Sequence, residues 1–253
     1  MSEGGVAIRD DCLVLTPEIV TEVSRLSVPL QGAPVPAVFV DRPNRFQAVV
    51  EIEGCRETVH VPNTGRMDEM LFPGTPVMLE KSDNPRRKHP YSLKFVNKNN
   101  HWICIHSALA NRVFEDAFYE GKVDWVRGPL QREVSFGNSR MDFSIGEDPP
   151  TLVEVKCVTY EEDGIAMFPD APTLRGQKHV EELIAALEEG YRTAVVFIAF
   201  MDFVHRFTPH RRIDPSLAEK LRKARDHGVL IKAYACSISF REISLERELS
   251  VQL

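Results

Sequence analysis

Asp142, Glu154 and Lys156 have types and spacing that could hold a metal ion and act on a phosphate. In a β-strand, residues two apart face the same way. Glu154 and Lys156 of TLVEVKCV therefore stand together, while Val153, Val155 and Cys157 take the opposite face. Two charges on a face that should be apolar cost free energy unless they pair or serve a site. A Glu–Lys pair at a sheet edge would meet that requirement as well, and the same three-residue pattern recurs at Glu120 and Lys122, where Gly121 and a helix end make it uninformative. Asp142 separates the two matches. It lies on SRMDFSI, and a tight connection through GEDPP would fold that strand antiparallel to residues 151–158, bringing Asp142 and Glu154 within reach of one ion. Two carboxylates completed by a backbone carbonyl or waters suit Mg²⁺ or Mn²⁺. Lys156 would then orient a water or stabilise charge developing on a phosphate.

These residues need a sheet to hold them, and the second half of the chain has the grammar for one. SALANRVFEDAFYEG (107–121) carries Leu109, Ala110, Val113, Phe114 and Ala117 at helical spacing and ends at Gly121. REVSF, SRMDFSI and TLVEVKCV follow as three strands of a meander. Next come a helix over 176–190, a wholly apolar strand TAVVFIAF, a helix over 214–228 opened by Asp214 and Pro215, and a final strand VLIKAYACSI. That order predicts an α/β domain with a mixed sheet over 106–253.

The first half reads differently. Six short segments rich in β-branched and aromatic residues lie between turn-forming clusters such as DRPN and NKNN. With a short helix expected at MDEML (67–71), they predict a five-stranded OB-like barrel over 28–105. Residues 1–27 are weakly patterned and read as an N-terminal extension.

Composition narrows the class. Of 253 residues, 43% are hydrophobic and 27% charged, the usage of a folded protein. No apolar run is long enough to span a membrane, and the acidic, Gly-rich start is unlike a secretory signal, so a cytoplasmic protein without membrane contact is expected. Five scattered cysteines without a CxxC pair fit neither a disulfide framework nor a zinc site, and are expected as buried thiols. A net charge of −6 excludes nucleic-acid binding through bulk positive charge, leaving two local basic patches at 81–94 and 203–212. Either would also serve as a solvated loop.

The strings GRMDEMLFPG, SDNPRRKHPYSL, REVSFGNSRMDF, VEVKCVTY and MFPDAPTLRGQKHVEEL resemble the sugar fermentation stimulation protein family, SfsA, from about residue 36 to the C-terminus. Asp142, Glu154 and Lys156 match the constellation of the PD-(D/E)xK nuclease superfold. The resemblance implies an OB-like domain, a nuclease-like domain and DNA binding, with a DNA or RNA nuclease activity inferred from the fold. Two departures stand out: the extension at 1–27, and His89, where a Thr would be usual.

Superfold relatives often place a further acid on the first helix, which makes Glu115 a candidate; it shares a face with Asn111 one turn away. Lys178, Arg175 and His179 lie near the start of a helix, where free N–H groups attract phosphate. Lys178 is the catalytic candidate there, although the helical wheel sets it opposite the apolar stripe and sets His179 beside it. Asp170 in FPDAP is either a cap or a site residue. The nucleic-acid contacts expected are Arg86, Arg87, Lys88, Tyr91, Arg140 and Arg175, with Phe95 as a second stacking surface. Two functions follow: a metal-dependent phosphodiesterase acting on DNA or RNA, or a DNA-binding regulator of sugar metabolism that uses the nuclease-like fold as a scaffold.

Overall fold

The computed structural model describes residues 27–30 and 32–253, so all of the expected extension except Ser27 lies outside the described residues. The chain enters at β1 (Val28–Pro29), which joins the sheet of the C-terminal domain, with Val28 opposite Ile243. It then forms β2 (Pro34–Asn44), β3 (Gln47–Ile52), β4 (Cys55–His60), β5 (Pro76–Lys81), β6 (Tyr91–Lys98) and β7 (His101–Cys104). The order β4-β3-β2-β5-β6, closed by a parallel bridge between His60 and Ser92, makes a five-stranded barrel with OB connectivity. Phe39, Val50, Val59, Val77, Leu79 and Leu93 fill it. The helix expected at 67–71 is instead one turn, with the N–H groups of Met70 and Leu71 both donating to the carbonyl of Met67. Met67, at φ 55°, lies in the left-handed region and stops a longer helix.

The C-terminal domain contains α1 (Ala110–Tyr119), β8 (Leu130–Phe136), β9 (Ser139–Ile145), β10 (Thr151–Val158), β11 (Tyr160–Glu162), β12 (Ile165–Phe168) and α2 (Leu174–Glu188). It continues with β13 (Arg192–Ala199), β14 (Arg206–Pro209), α3 (Pro215–His227), β15 (Leu230–Ile238), β16 (Glu242–Glu248) and β17 (Ser250–Val251). The main sheet runs β1-β16-β15-β13-β10-β9-β8; β10, β13 and β15 are parallel and the remaining pairs antiparallel. Alternation along β10 sends Val153 and Val155 toward α1, where Val113, Phe114 and Ala117 pack, and sends Leu152 and Val158 toward α2. A second sheet, β11-β12-β14-β17, was not legible in the pattern. It absorbs the 203–212 patch: Arg206 lies on β14, His210 is buried and Arg212 pairs with Glu162, so this is not a free basic loop. Among the described cysteines Cys104 and Cys236 are buried, Cys157 partly so, and Cys55 is exposed at a hairpin, against the expectation of buried thiols.

The start of α2 and the start of α3 are tied together by one buried carboxylate. Asp214 Oδ1 accepts the N–H of Leu217 as N-cap of α3, while Oδ2 accepts the N–H of Thr173, the N-cap of α2, each at 2.9 Å. Gln177 Nε2 donates to the same carboxylate. Loss of an N-cap alone costs about 1 kcal/mol, and stranded buried donors add about as much again. Asp214→Ala is expected to lower stability by about 2 kcal/mol or more, read as a shift of the denaturant midpoint. An unchanged midpoint would mean that water replaces the carboxylate.

Candidate active site

β9 and β10 pair only as far as Phe143 opposite Val153. One step further the register sets Asp142 opposite Glu154, and there the ladder opens. The N–H of Val155, which an ordinary ladder would pair with a backbone carbonyl, donates to Asp142 Oδ2 at 2.8 Å. Asp142 Oδ1 accepts from Asn111 Nδ2 of α1 at 2.7 Å. The acid is thus built into the fork between two strands, where burial and then the Glu154 charge push its pKa up.

Glu154 is buried, at 3% exposure. Its Oε1 accepts from Lys156 Nζ at 2.5 Å and from His179 Nδ1 of α2. Arg175, one turn earlier on α2, donates from Nε to His179 Nε2 at 3.4 Å. A ring whose Nε2 accepts from Arg175 carries its proton on Nδ1, which is the proton given to Glu154; this network fixes the tautomer. Burial raises the Glu154 pKa, but the hydrogen bond from His179 and the charge and hydrogen bond of Lys156 outweigh it and hold the group below its usual range. Glu154 Oε2, also buried, has no partner.

That unpartnered oxygen, on a residue set opposite a second carboxylate, is where these residues could hold a divalent cation. Among the described residues no three His, Cys, Asp or Glu side chains gather around one point. The protein donors to a cation there would be the two acids, with a backbone carbonyl and waters completing the shell, as a hard cation accepts. A cation there would also relieve the repulsion that raises the Asp142 pKa.

Beside the fork lies a cleft of about 500 Å³ between the two domains, reached by Asn111, Val155 and Lys156, while Asp142 and Glu154 are not in its lining. Asn111, Val155, Lys156 and Arg175 line one side, Asn63–Gly65 of the β4–β5 loop the other. Arg42 clamps that loop, donating to the carbonyls of Asn63, Gly65 and Arg66. Asp170, carried by the end of β12, closes on Gly65 so tightly that a Cβ there would stand 1.7 Å from its Oδ2. Asp170 is a cleft residue with its pKa raised by burial, and the cap of α2 is Thr173.

Several expected residues lie elsewhere. Glu115 pairs with Arg132 of β8 at 3.2 Å, and the side chain of α1 that reaches Asp142 is Asn111. Lys178 is half exposed, bonded to the carbonyl of Asn138 and paired with Glu182, while its neighbour His179 meets Glu154. The position of His179 beside the apolar stripe was the signal for this. Arg140 pairs with Glu133 at the β8–β9 hairpin. Arg86 and Lys88 are exposed on the β5–β6 loop, Arg87 is half-buried against Ser92, and Tyr91 is half-buried on the barrel. Phe95 is no stacking surface: at 2% exposure it packs edge-on against Phe240 in the core. His89 anchors the basic loop, with Nδ1 bonded to the carbonyl of Thr58 and Nε2 to Gln47.

A closed OB barrel joined to a mixed-sheet domain with acid, acid and lysine at its fork defines a two-domain protein of PD-(D/E)xK nuclease-like fold. The chain belongs to the sugar fermentation stimulation protein family, SfsA. The family's N-terminal OB domain matches residues 40–105, and its sugar fermentation stimulation protein RE domain matches residues 108–242. A sugar fermentation stimulation protein homolog of Caldanaerobacter subterraneus subsp. tengcongensis is 44% identical over 218 residues, covering 85% of this chain and 95% of that protein. A homolog of Clostridium acetobutylicum is 42% identical over 221 residues, covering 86% and 96%. The structure of Pyrococcus furiosus SfsA in complex with Ca²⁺ superposes with a TM-score of 0.80 at 30% identity, covering 89% of this chain and all of that one. No helix among the described residues is long and apolar enough to cross a membrane.

Proposed function

We propose that this protein is a divalent-metal-dependent phosphodiesterase that binds and cleaves DNA or RNA in the interdomain cleft. The observation that carries the reading is the buried Glu154 Oε2, which has no protein partner, on a residue that the register sets opposite Asp142. The related archaeal protein was solved in complex with Ca²⁺, an oxygen-seeking cation of the kind two carboxylates suit. Mg²⁺ or Mn²⁺ at the fork would polarise a phosphoryl oxygen and lower the pKa of a bound water. Asn111 and the N–H of Val155 hold the Asp142 carboxylate in place. His179 orients Glu154, and Arg175 fixes His179. Lys156 and Arg175 face the cleft as cations, able to receive a phosphate and to stabilise charge developing on it. Free thiols and a nucleic-acid substrate suit a cytoplasmic protein.

The second reading is a DNA-binding regulator without catalysis, favoured by one feature: Glu154 Oε1 is already taken by both Lys156 and His179. Incubation of the protein with single- and double-stranded DNA and RNA in Mg²⁺, Mn²⁺ or EDTA separates the two. Cleavage with either metal and none in EDTA is expected. Retained DNA binding with no cleavage under any condition would favour the regulator.

A further inference from the structure

We propose that a row of hydrogen-bond donors on the barrel, Arg87, His60 and His106, backed by the buried Lys94, binds the phosphodiester backbone and leads a nucleic-acid strand from the basic loop toward the cleft. The proposal rests on the reading of that cleft as a nucleic-acid site. Arg87 Nη2 donates to Ser92 Oγ at 3.0 Å, and Ser92 Oγ lies 3.5 Å from His60 Nδ1. Two positions along β6, Lys94 Nζ lies 2.6 Å from His106 Nδ1 and 3.1 Å from Glu80 Oε2.

The chemistry of these contacts fixes what the row presents. An ammonium offers only protons, so His106 Nδ1 is an acceptor and the ring carries its hydrogen on Nε2. Ser92 Oγ accepts from Arg87, which leaves its own hydrogen able to turn toward His60 Nδ1; in that arrangement the His60 proton sits on Nε2. No protein group among the described residues takes up either Nε2–H, and neither atom is sealed from solvent. Arg87, His60 and His106 therefore offer hydrogens, while Lys94 lies buried behind them, committed to His106 and to Glu80, the one carboxylate among them. Burial, then the nearby cations Lys94 and Arg87, hold His106 at about 4 and His60 below its usual value. A surface that only donates, under positive potential, is complementary to a repeating anion.

Its position supplies the direction. His60 precedes Val61, Pro62 and Asn63, and His106 precedes Ser107; Asn63 and Ser107 both line the cleft. Ser107 Oγ donates to the carbonyl of Pro62 at 3.4 Å, so the two segments reach the cleft side by side. At its other end the row begins at the loop of Arg86, Arg87 and Lys88. A strand held by the loop and the row, beside the hollow that Lys94 and His106 share with Leu109 and Arg112, would be carried toward Asn63 and Ser107 at the edge of the cleft.

The test is imidazole ¹H–¹⁵N NMR of the full chain in EDTA, titrated with a short single-stranded oligonucleotide, with the rings assigned from His60→Gln and His106→Gln. The charges facing the rings are Arg87, Lys94, Glu80 and, beside His106, Arg112 of α1, with His89 the neighbouring titratable ring. Both Nε2–H signals are expected to move, and both rings to rise in pKa by about one unit or more, since a phosphate in reach favours the charged form. Affinity then increases as pH falls through the raised values, and Arg87→Gln weakens binding roughly tenfold. Binding with both rings unmoved would overturn the row and leave the cleft reading standing. A polyglutamate that moves the rings equally would also overturn it, as a row with no preference for phosphate. An oligonucleotide that does not bind at all would overturn both.

Discussion

Asp142→Asn and Glu154→Gln are each expected to abolish Mn²⁺-dependent stabilisation and all cleavage, while leaving nucleic-acid affinity unchanged or higher. A cation bound only by the folded state stabilises it by about 2.7 kcal/mol when its concentration is a hundred times its dissociation constant. At a few degrees per kcal/mol for a chain of this size, the wild type should melt roughly 5–10 °C higher in saturating Mn²⁺. Each variant should melt at the same temperature with and without it. Without metal Asp142→Asn should keep its stability, whereas Glu154→Gln should lose some, because the ionised Glu154 is held below its usual pKa by His179 and Lys156. Burial and the Glu154 charge raise the Asp142 pKa, and neutralising either acid removes that repulsion. The affinity prediction has the same origin, since one negative charge fewer then faces the phosphates. Metal binding and cleavage are read separately by thermal melts and by gel assays in matched buffers. A wild type whose melting is indifferent to millimolar Mn²⁺ would count against the metal site whatever the cleavage assay gives.

The three residues of the fork could be located in the sequence because their signal is local. Charge alternation within TLVEVKCV fixes which residues share a face, and a tight antiparallel connection fixes what stands opposite them. The five barrel strands and the three long helices were legible for the same reason, being long enough to show a period. What escaped had no period or depended on distant chain. Strands β11, β12, β14 and β17 have two to four residues each, too few for alternation to register, yet they carry Asp170 to the cleft. His179 was visible as a polar residue beside an apolar stripe, but its partner is 25 residues away on another element. Between Lys178 and His179 the free charge pointed to Lys178, and it is His179 that meets Glu154. Asn111 reaches Asp142 only because α1 crosses the fork, a fact of packing that the helical wheel does not contain. Phe95 was expected as a stacking surface, but its ring is covered by Phe240 of the other domain.

Lys156→Ala is expected to keep the metal and lose turnover, by roughly 10²-fold or more, as found when one preorganised donor to a developing charge is removed. The Mn²⁺-dependent melting shift should survive, because Lys156 is not a ligand and its loss frees Glu154 Oε1 from one of its two donors. A purely structural Glu154–Lys156 pair predicts different damage. Breaking a buried ion pair from one side costs about 3–5 kcal/mol, because an uncompensated charge remains. With Glu154 at 4% and Lys156 at 17% side-chain exposure, this pair is buried enough to show such a loss. His179 tempers that cost in either case by donating to the same oxygen. The decisive comparison is therefore the double variant Lys156→Ala with Glu154→Gln. If the pair is structural, the second change restores most of the stability lost in the first, and Mn²⁺ has no effect on the wild type or on either variant. If Lys156 serves the phosphate, Lys156→Ala alone melts within about 1 kcal/mol of the wild type, still responds to Mn²⁺, and loses that response only when Glu154→Gln is added. A single variant that unfolds while its double partner recovers would rule out the catalytic assignment of Lys156.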